Sequence, residues 1–446
     1  MTTTLDAKKT TVSEKPAPEL APARDNDTTI FEARESEVRG YCRAFPTVFE
    51  SASNARQVDE LGRSYIDFFG GAGVLNFGHN NERMKRAMIE YLERDGVAHS
   101  LDMYTTAKRG FVERFTEVVL EPRRMPHRLQ FVGPTGTNAV EASLKLARKI
   151  TKRSTVVAFT SGFHGMTLGS LACTANSYFR SAAGVPLEHV VRLPFETAPG
   201  GGIAALEAYD AALADPSSGL APPAAFLVEP VQAEGGVHVA SGEWLKAVQD
   251  LARRHGALLI LDDIQAGCGR TGSYFSFDGL GVEPDIVNLA KGVGGFGTPL
   301  ALNLIHPEHD RHWSPGEHTG TFRGQGLSFV AGREALSYFV GDELMDDVRR
   351  KGERMAGALA ELAEELAEHR FEVRGKGMMQ GLDVVHGGLA KDVAKRCFES
   401  GLLIGPCGSG GRVLKLIPPL TTPDEDLEEG LELLASSVRA AVAAHS

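Results

Sequence analysis

Five short, nearly unbroken apolar runs recur along the middle of the chain. They are LQFVG from Leu129, STVVAFT from Ser154, AAFLVEP from Ala224, ALLILDD from Ala257 and PDIVNLA from Pro284. A strand that is apolar at successive positions, and not only at alternate ones, is covered on both faces. That is the pattern of a parallel sheet sheathed by helices. Helical pieces such as NAVEASLKLARKI and glycine-rich pieces separate the runs. The alternation predicts an α/β domain built on a mostly parallel sheet.

The last part of the chain changes character. MDDVRRKGERMAGALAELAEELAEHR places Val348, Met355, Leu359, Leu362 and Leu366 near helical spacing. TTPDEDLEEGLELLASSVRAAVAA opens with Thr422 as the expected N-cap, Pro423 in the first turn and Glu425 closing a capping box. Its apolar face is Leu427, Leu431, Leu434, Val438 and Val442, and VLKLIPPL before it reads as a strand and turn. These features suggest a smaller α+β domain over residues 330–446, with residues 30–90 packing against it and a large domain over residues 91–329. The Pro-, Thr- and charge-rich stretch over residues 1–29 is expected to be a disordered tail.

With 47 basic and 58 acidic residues the formal charge is -11, which argues against nucleic acid or an anionic membrane as the main partner. No apolar run approaches the ~20 residues that span a bilayer. The five cysteines are scattered and lack metal-ligand spacing, so no metal site is expected. Reduced thiols in the cytoplasm are the simplest reading.

In open α/β sheets, ligands sit outside the carboxyl ends of the strands. Glu229 follows AAFLV, Asp262 follows ALLIL, Lys291 follows DIVNLA, and GPTGTNAVE follows LQFV. Each has a bland alternative. A strand-end Asp is more often a cap, a lone Lys a solvated tip, and PTGTN an ordinary helix start. GFHG at Gly162 to Gly165 reads equally as a tight turn around a core aromatic.

Taken in order, these stretches point one way. DELGRSYIDFFGGAGVLNFGHNN, GPTGTNAVEASLKLAR, GFHGMTLGS, EPVQAEGGV, LLILDDIQAGCGRTG, PDIVNLAKGVGGFGTPL, HTGTFRG and IPPLTT run through nearly the whole ordered chain. The sequence resembles the class III (ω-amino acid) aminotransferases, fold-type I enzymes that use pyridoxal phosphate. Within that family, ESEVRGYCRAFPTVF, GPTGTNAVEA, PGEHTGTFRG and Lys415 in VLKLIPPL are most similar to the branch serving ectoine biosynthesis. The resemblance implies a large domain with a mostly parallel seven-stranded sheet beside a smaller α+β domain. It also implies a homodimer or higher homo-oligomer with shared active sites.

The resemblance assigns roles residue by residue. Lys291 carries the cofactor through its amine and then shuttles the proton, and Asp262 holds the cofactor's ring nitrogen protonated. Gly136, Thr137 and Asn138 form the phosphate cup at a helix start, where N–H groups and the helix dipole favour an anion. Phe163 stacks on the ring with His164 after it, Glu229 lies near the cofactor, and Gln265 lies near its phenolic oxygen. Thr321 reaches the phosphate of the neighbouring subunit. Glu234 and Lys415 match the pair that reads the substrate carboxylate.

Small amino acids and 2-oxo acids are the implied substrates, and three readings stand. The first is transfer of the amine of L-glutamate to L-aspartate 4-semialdehyde, giving L-2,4-diaminobutyrate. The second is another ω-amine transaminase, acting on ornithine, 4-aminobutyrate or a diamine. The third is a catalytically silent cofactor-binding module.

Overall fold

The structure, a computed structural model, describes residues 26–445. Most of the expected tail therefore lies outside the described residues. The Asn26 side chain already accepts from the Thr47 hydroxyl and the Val48 N–H, and a short helix opens at Thr29.

The central sheet has seven strands: β1 (Arg128–Phe131), β2 (Val156–Phe159), β3 (Val190–Leu193), β4 (Ala225–Val228), β5 (Leu258–Asp262), β6 (Ile286–Leu289) and β7 (Leu302–Ile305). Their spatial order is β1-β7-β6-β5-β4-β2-β3. Only β7 runs against its neighbours, so the sheet is mostly parallel, as the apolar runs predict. The strands β2, β4, β5 and β6 are buried along their whole length. Helices cover both faces: α1 (Gly136–Thr151) packs with Val156, Leu227 and Ile260 on one side. On the same chain α2 (Leu168–Cys173) follows β2, and α3 (Gly242–Arg254) buries Trp244 and Val248 against Phe159 and Phe226 on the other side.

A second apolar core gathers around α4 (Glu343–Glu365) and α5 (Asp424–His445), with Met355, Leu359, Leu382, Leu414 and Leu434 inside it. Ile66 and Phe68 from the N-terminal part join this core, because strand Ser64–Asp67 pairs in parallel with Leu402–Leu403. One local expectation differs. The Thr422 hydroxyl donates back to the Pro419 carbonyl at 2.6 Å, α5 opens at Asp424, and among the described residues no cap contact runs from Thr422 to the helix. The turn at Pro418–Pro419 takes that hydroxyl first. Among the described residues no helix is long and apolar enough to cross a membrane.

Candidate active site

Asp262 is the last residue of β5, and its side chain is buried. One carboxylate oxygen lies 2.8 Å from Nδ1 of His164, and the other accepts from the Ile264 N–H at 3.3 Å. His164 stands in the tight turn after β2, and the Phe163 N–H beside it donates to Glu229 Oε2 at 2.9 Å. The half-buried Phe163 ring meets Phe179 edge-on at 5.6 Å. Glu229 follows β4, and burial with the nearby Asp262 raises its pKa well above the ordinary carboxylate range. Among the described residues, neither acid forms an ion pair with a lysine or arginine. Asp263 is turned away. It accepts the Ser276 N–H at 3.1 Å and the Ser276 hydroxyl, and burial pushes its pKa up to about 7.

Lys291 follows β6 and adopts the left-handed region at φ 52, which is costly for a residue with a Cβ. Its Nζ donates to the Ala72 carbonyl at 3.0 Å, and Gln265 Nε2 donates to the same oxygen at 2.6 Å. That carbonyl is aimed by four consecutive positive φ values, 54, 58, 57 and 85, over Gly70–Gly73. Three glycines make such a turn affordable. Burial lowers the Lys291 pKa to about 8, with Glu234 opposing the shift.

Glu234 and Lys415 meet although they lie 181 positions apart. Lys415, on the central strand Val413–Leu416, donates to Glu234 Oε1 and also to Gln265 Oε1 at 3.3 Å. Gln265 Nε2 is in turn 3.2 Å from Glu234 Oε1. Burial works against both charges, but their mutual attraction outweighs it. Glu234 is held at about 2, and Lys415 stays above the ordinary lysine value. Gln265 thus connects this pair to the carbonyl that receives Lys291.

The turn GPTGTN leads from β1 into α1. The N–H groups of Asn138 and Ala139 return to the Thr135 carbonyl at 3.1 and 3.3 Å. Those of Gly136 and Thr137 precede the first intrahelical donor and find no partner among the described residues. Asn138 Nδ2 donates to Thr135 Oγ1 at 2.7 Å, which ties the turn to the helix. Thr321 is exposed, and its carbonyl accepts from His99 Nε2 at 2.6 Å. Among the described residues it makes no hydrogen bond to Lys291, Asp262 or the α1 turn. The structure therefore gathers Asp262, His164, Glu229, Phe163, Lys291, Gln265, Glu234 and Lys415, and leaves Thr321 outside that set. Sequence reading missed Ala72, whose signal was the GGAG run.

The family model described as Aminotransferase class-III matches residues 40–438. The chain is 48% identical over 416 residues to the diaminobutyrate–2-oxoglutarate transaminase of Halalkalibacterium halodurans, covering 93% of this chain and 97% of that protein. It is 50% identical over 415 residues to the protein of the same name from Streptomyces coelicolor, covering 93% and 98%. Among solved structures, the ornithine aminotransferase of Toxoplasma gondii superposes with a TM-score of 0.78 at 26% identity, covering 92% of this chain and 93% of that one. The lysine aminotransferase of M. tuberculosis shares the fold with a TM-score of 0.82 at 23% identity, covering 93% and 99%.

Proposed function

The chain belongs to the class-III aminotransferases, and from that premise we propose that it transfers the amino group of L-glutamate to L-aspartate 4-semialdehyde, giving L-2,4-diaminobutyrate and 2-oxoglutarate. Pyridoxal phosphate, the cofactor of this family, supplies an electron sink for the carbon that gains or loses the amine. The donor set fits that group. Among the described residues Asp262 and Glu229 are buried acids without a lysine or arginine partner, which suits a cationic ring nitrogen. The orphan N–H groups of Gly136 and Thr137, with Asn138 beside them, suit a phosphate. In this reading Asp262, oriented by His164, would keep the ring nitrogen protonated, while Phe163 and Gln265 would help to hold the ring and its phenolic oxygen. Lys291 Nζ would take the proton from the carbon that bears the amine and deliver it to a second carbon, on the cofactor side of the shared nitrogen, which requires the neutral amine present above about pH 8.

The observation that carries the substrate reading is the contact of Lys415 with Glu234 and Gln265 next to the carbonyl that receives Lys291. Glutamate brings a carboxylate beside its reacting carbon, whereas the ω-substrate presents only hydrogens there. Lys415 pairs with the glutamate carboxylate and returns to Glu234 when the ω-substrate binds. An ammonium is a point charge with rotatable donors, so it can exchange partners without the fixed fork of an arginine. Lys415→Ala is expected to weaken reaction with glutamate and 2-oxoglutarate by about 1.5–3 kcal/mol, the size of a charge-assisted hydrogen bond, while sparing the diaminobutyrate half-reaction. Stopped-flow absorbance of each half-reaction separates the two. Equal losses mean that Lys415 only supports the fold. In the same assay, a higher kcat/KM for ornithine or 4-aminobutyrate than for diaminobutyrate overturns the substrate assignment.

We further propose a homodimer in which Thr321 serves the partner's phosphate cup. The support is an exposed apolar patch beside it. Leu101, Met103 and Tyr104 are exposed, as is Phe322, whose neighbour Thr321 is bonded to His99. Light scattering at assay concentration is expected to give at least a dimer, with an interface larger than the ~1,600 Å² of a standard complex. A fully active monomer rules this out. With five free cysteines, four of them buried, we place the enzyme in the cytoplasm, supplying diaminobutyrate for ectoine biosynthesis.

A further inference from the structure

Thr137 and Glu141 lie one turn apart on α1, so their side chains share a face. Segment 165–170, which leads into α2, packs across that face. Thr137 Oγ1 is 2.6 Å from both Thr167 Oγ1 and Ser170 Oγ, and the latter two are 3.1 Å apart. Three hydroxyls in mutual contact have no preferred direction, because each can donate or accept. Glu141 supplies one. Its Oε1 accepts the Thr167 hydroxyl at 2.6 Å and the Ser170 N–H at 3.0 Å. With its single proton committed to the carboxylate, Thr167 Oγ1 accepts from the Thr137 hydroxyl. Thr137 Oγ1 in turn accepts the Thr167 N–H at 3.3 Å.

Two glycines make the approach possible. A Cβ on Gly169 would collide with the Glu141 carboxylate, and one on Gly165 would lie 2.5 Å from Thr137 Oγ1. The backbone entering α2 is therefore pressed against both side chains of α1. The same segment begins at the turn that carries Phe163 and His164.

We infer that Glu141 is a positioning residue for the phosphate end of the cofactor site: through Thr167 and Ser170 it fixes Thr137 and the first turn of α1 against the 162–170 segment. The inference rests on reading that first turn as the phosphate cup. Glu141 then acts on the phosphate and not on the ring, which separates it from a residue that merely stabilises the fold.

The test is titration of the cofactor-free protein with pyridoxal phosphate and, separately, with pyridoxal, followed by absorbance and tryptophan fluorescence. Glu141→Ala is expected to raise the Kd for pyridoxal phosphate by ~10–100-fold, the consequence of losing charge-assisted hydrogen bonds, and to leave the Kd for pyridoxal within about twofold. Glu141→Gln keeps an acceptor for Thr167 and Ser170 and should stay within about threefold of the wild type for both ligands. Thr167→Val, which cuts the link but keeps the carboxylate, should repeat the selective loss even if Glu141→Ala folds poorly. Equal weakening of both ligands, or no weakening, overturns the inference. A wild-type protein that binds pyridoxal phosphate no better than pyridoxal instead defeats the reading of the cup, and the inference falls with it.

Discussion

Lys291→Ala is expected to abolish turnover while the protein keeps its fold. A positioned base alone contributes about 10²–10⁴-fold, and in the proposed mechanism the variant also loses the amine that carries the cofactor, so a fall of at least ~10³-fold in kcat is expected. The structural cost is small by comparison. Among the described residues Nζ makes one hydrogen bond, to the Ala72 carbonyl, and that oxygen keeps the Gln265 amide. The left-handed backbone at position 291 strains alanine as it strains lysine, so that strain largely cancels between the two proteins.

The measurement is steady-state turnover with glutamate, beside a thermal melt. Added methylamine should restore part of the rate if the missing function is a base. The wild type carries a matching pH signature. Burial lowers the Lys291 pKa to about 8, so the step that needs the neutral amine should speed up as pH rises through that value and level off above it. Near-normal turnover in Lys291→Ala would remove Lys291 from the mechanism.

Much of this candidate site was legible because its polar residues sit where apolar runs end. Asp262, Glu229 and Lys291 close three strands whose burial on both faces makes them readable as strands. Strand β3 was harder to see: it lies at the sheet edge, three of its four residues are only half-buried, and Arg192 interrupts its apolar character. Strand β7 follows a glycine-rich stretch with no crossover helix, since it runs antiparallel to its neighbours.

Backbone contributions leave the weakest trace of all. The Ala72 carbonyl meets Lys291 across 219 positions, and nothing in an alanine announces an acceptor. Only the surrounding glycines do. The Glu141 network was missed for a related reason. On an amphipathic helix a glutamate among small residues reads as solvated surface, and its partners are short hydroxyls on a segment with no periodicity.

Asp262→Asn should cut turnover by orders of magnitude and leave stability nearly unchanged. Asparagine matches aspartate in shape, so one side-chain atom can still accept from the Ile264 N–H. The other becomes an NH₂ facing His164 Nδ1, 2.8 Å away in the wild type. A neutral imidazole can carry its proton on either nitrogen, so His164 can present Nδ1 as an acceptor and keep the hydrogen bond. What disappears is the charge. Without a buried anion, the protonated ring nitrogen of the proposed mechanism would lose its partner and the electron sink would weaken in both half-reactions. Breaking a buried ion pair in this way costs about 3–5 kcal/mol, which corresponds to roughly 10²–10⁴-fold in rate.

The variant also relieves Glu229, whose raised pKa owes its second cause to the Asp262 charge, so that acid should titrate lower in Asp262→Asn. These effects distinguish the two strand-end residues. In the proposed mechanism, loss at Lys291 removes the proton carrier and is open to rescue by an added amine. Loss at Asp262 changes the electronics of the site, and no added amine repairs it. An Asp262→Asn protein within tenfold of wild-type kcat, with an unaltered melting temperature, would show that the buried acid at the end of β5 serves packing alone.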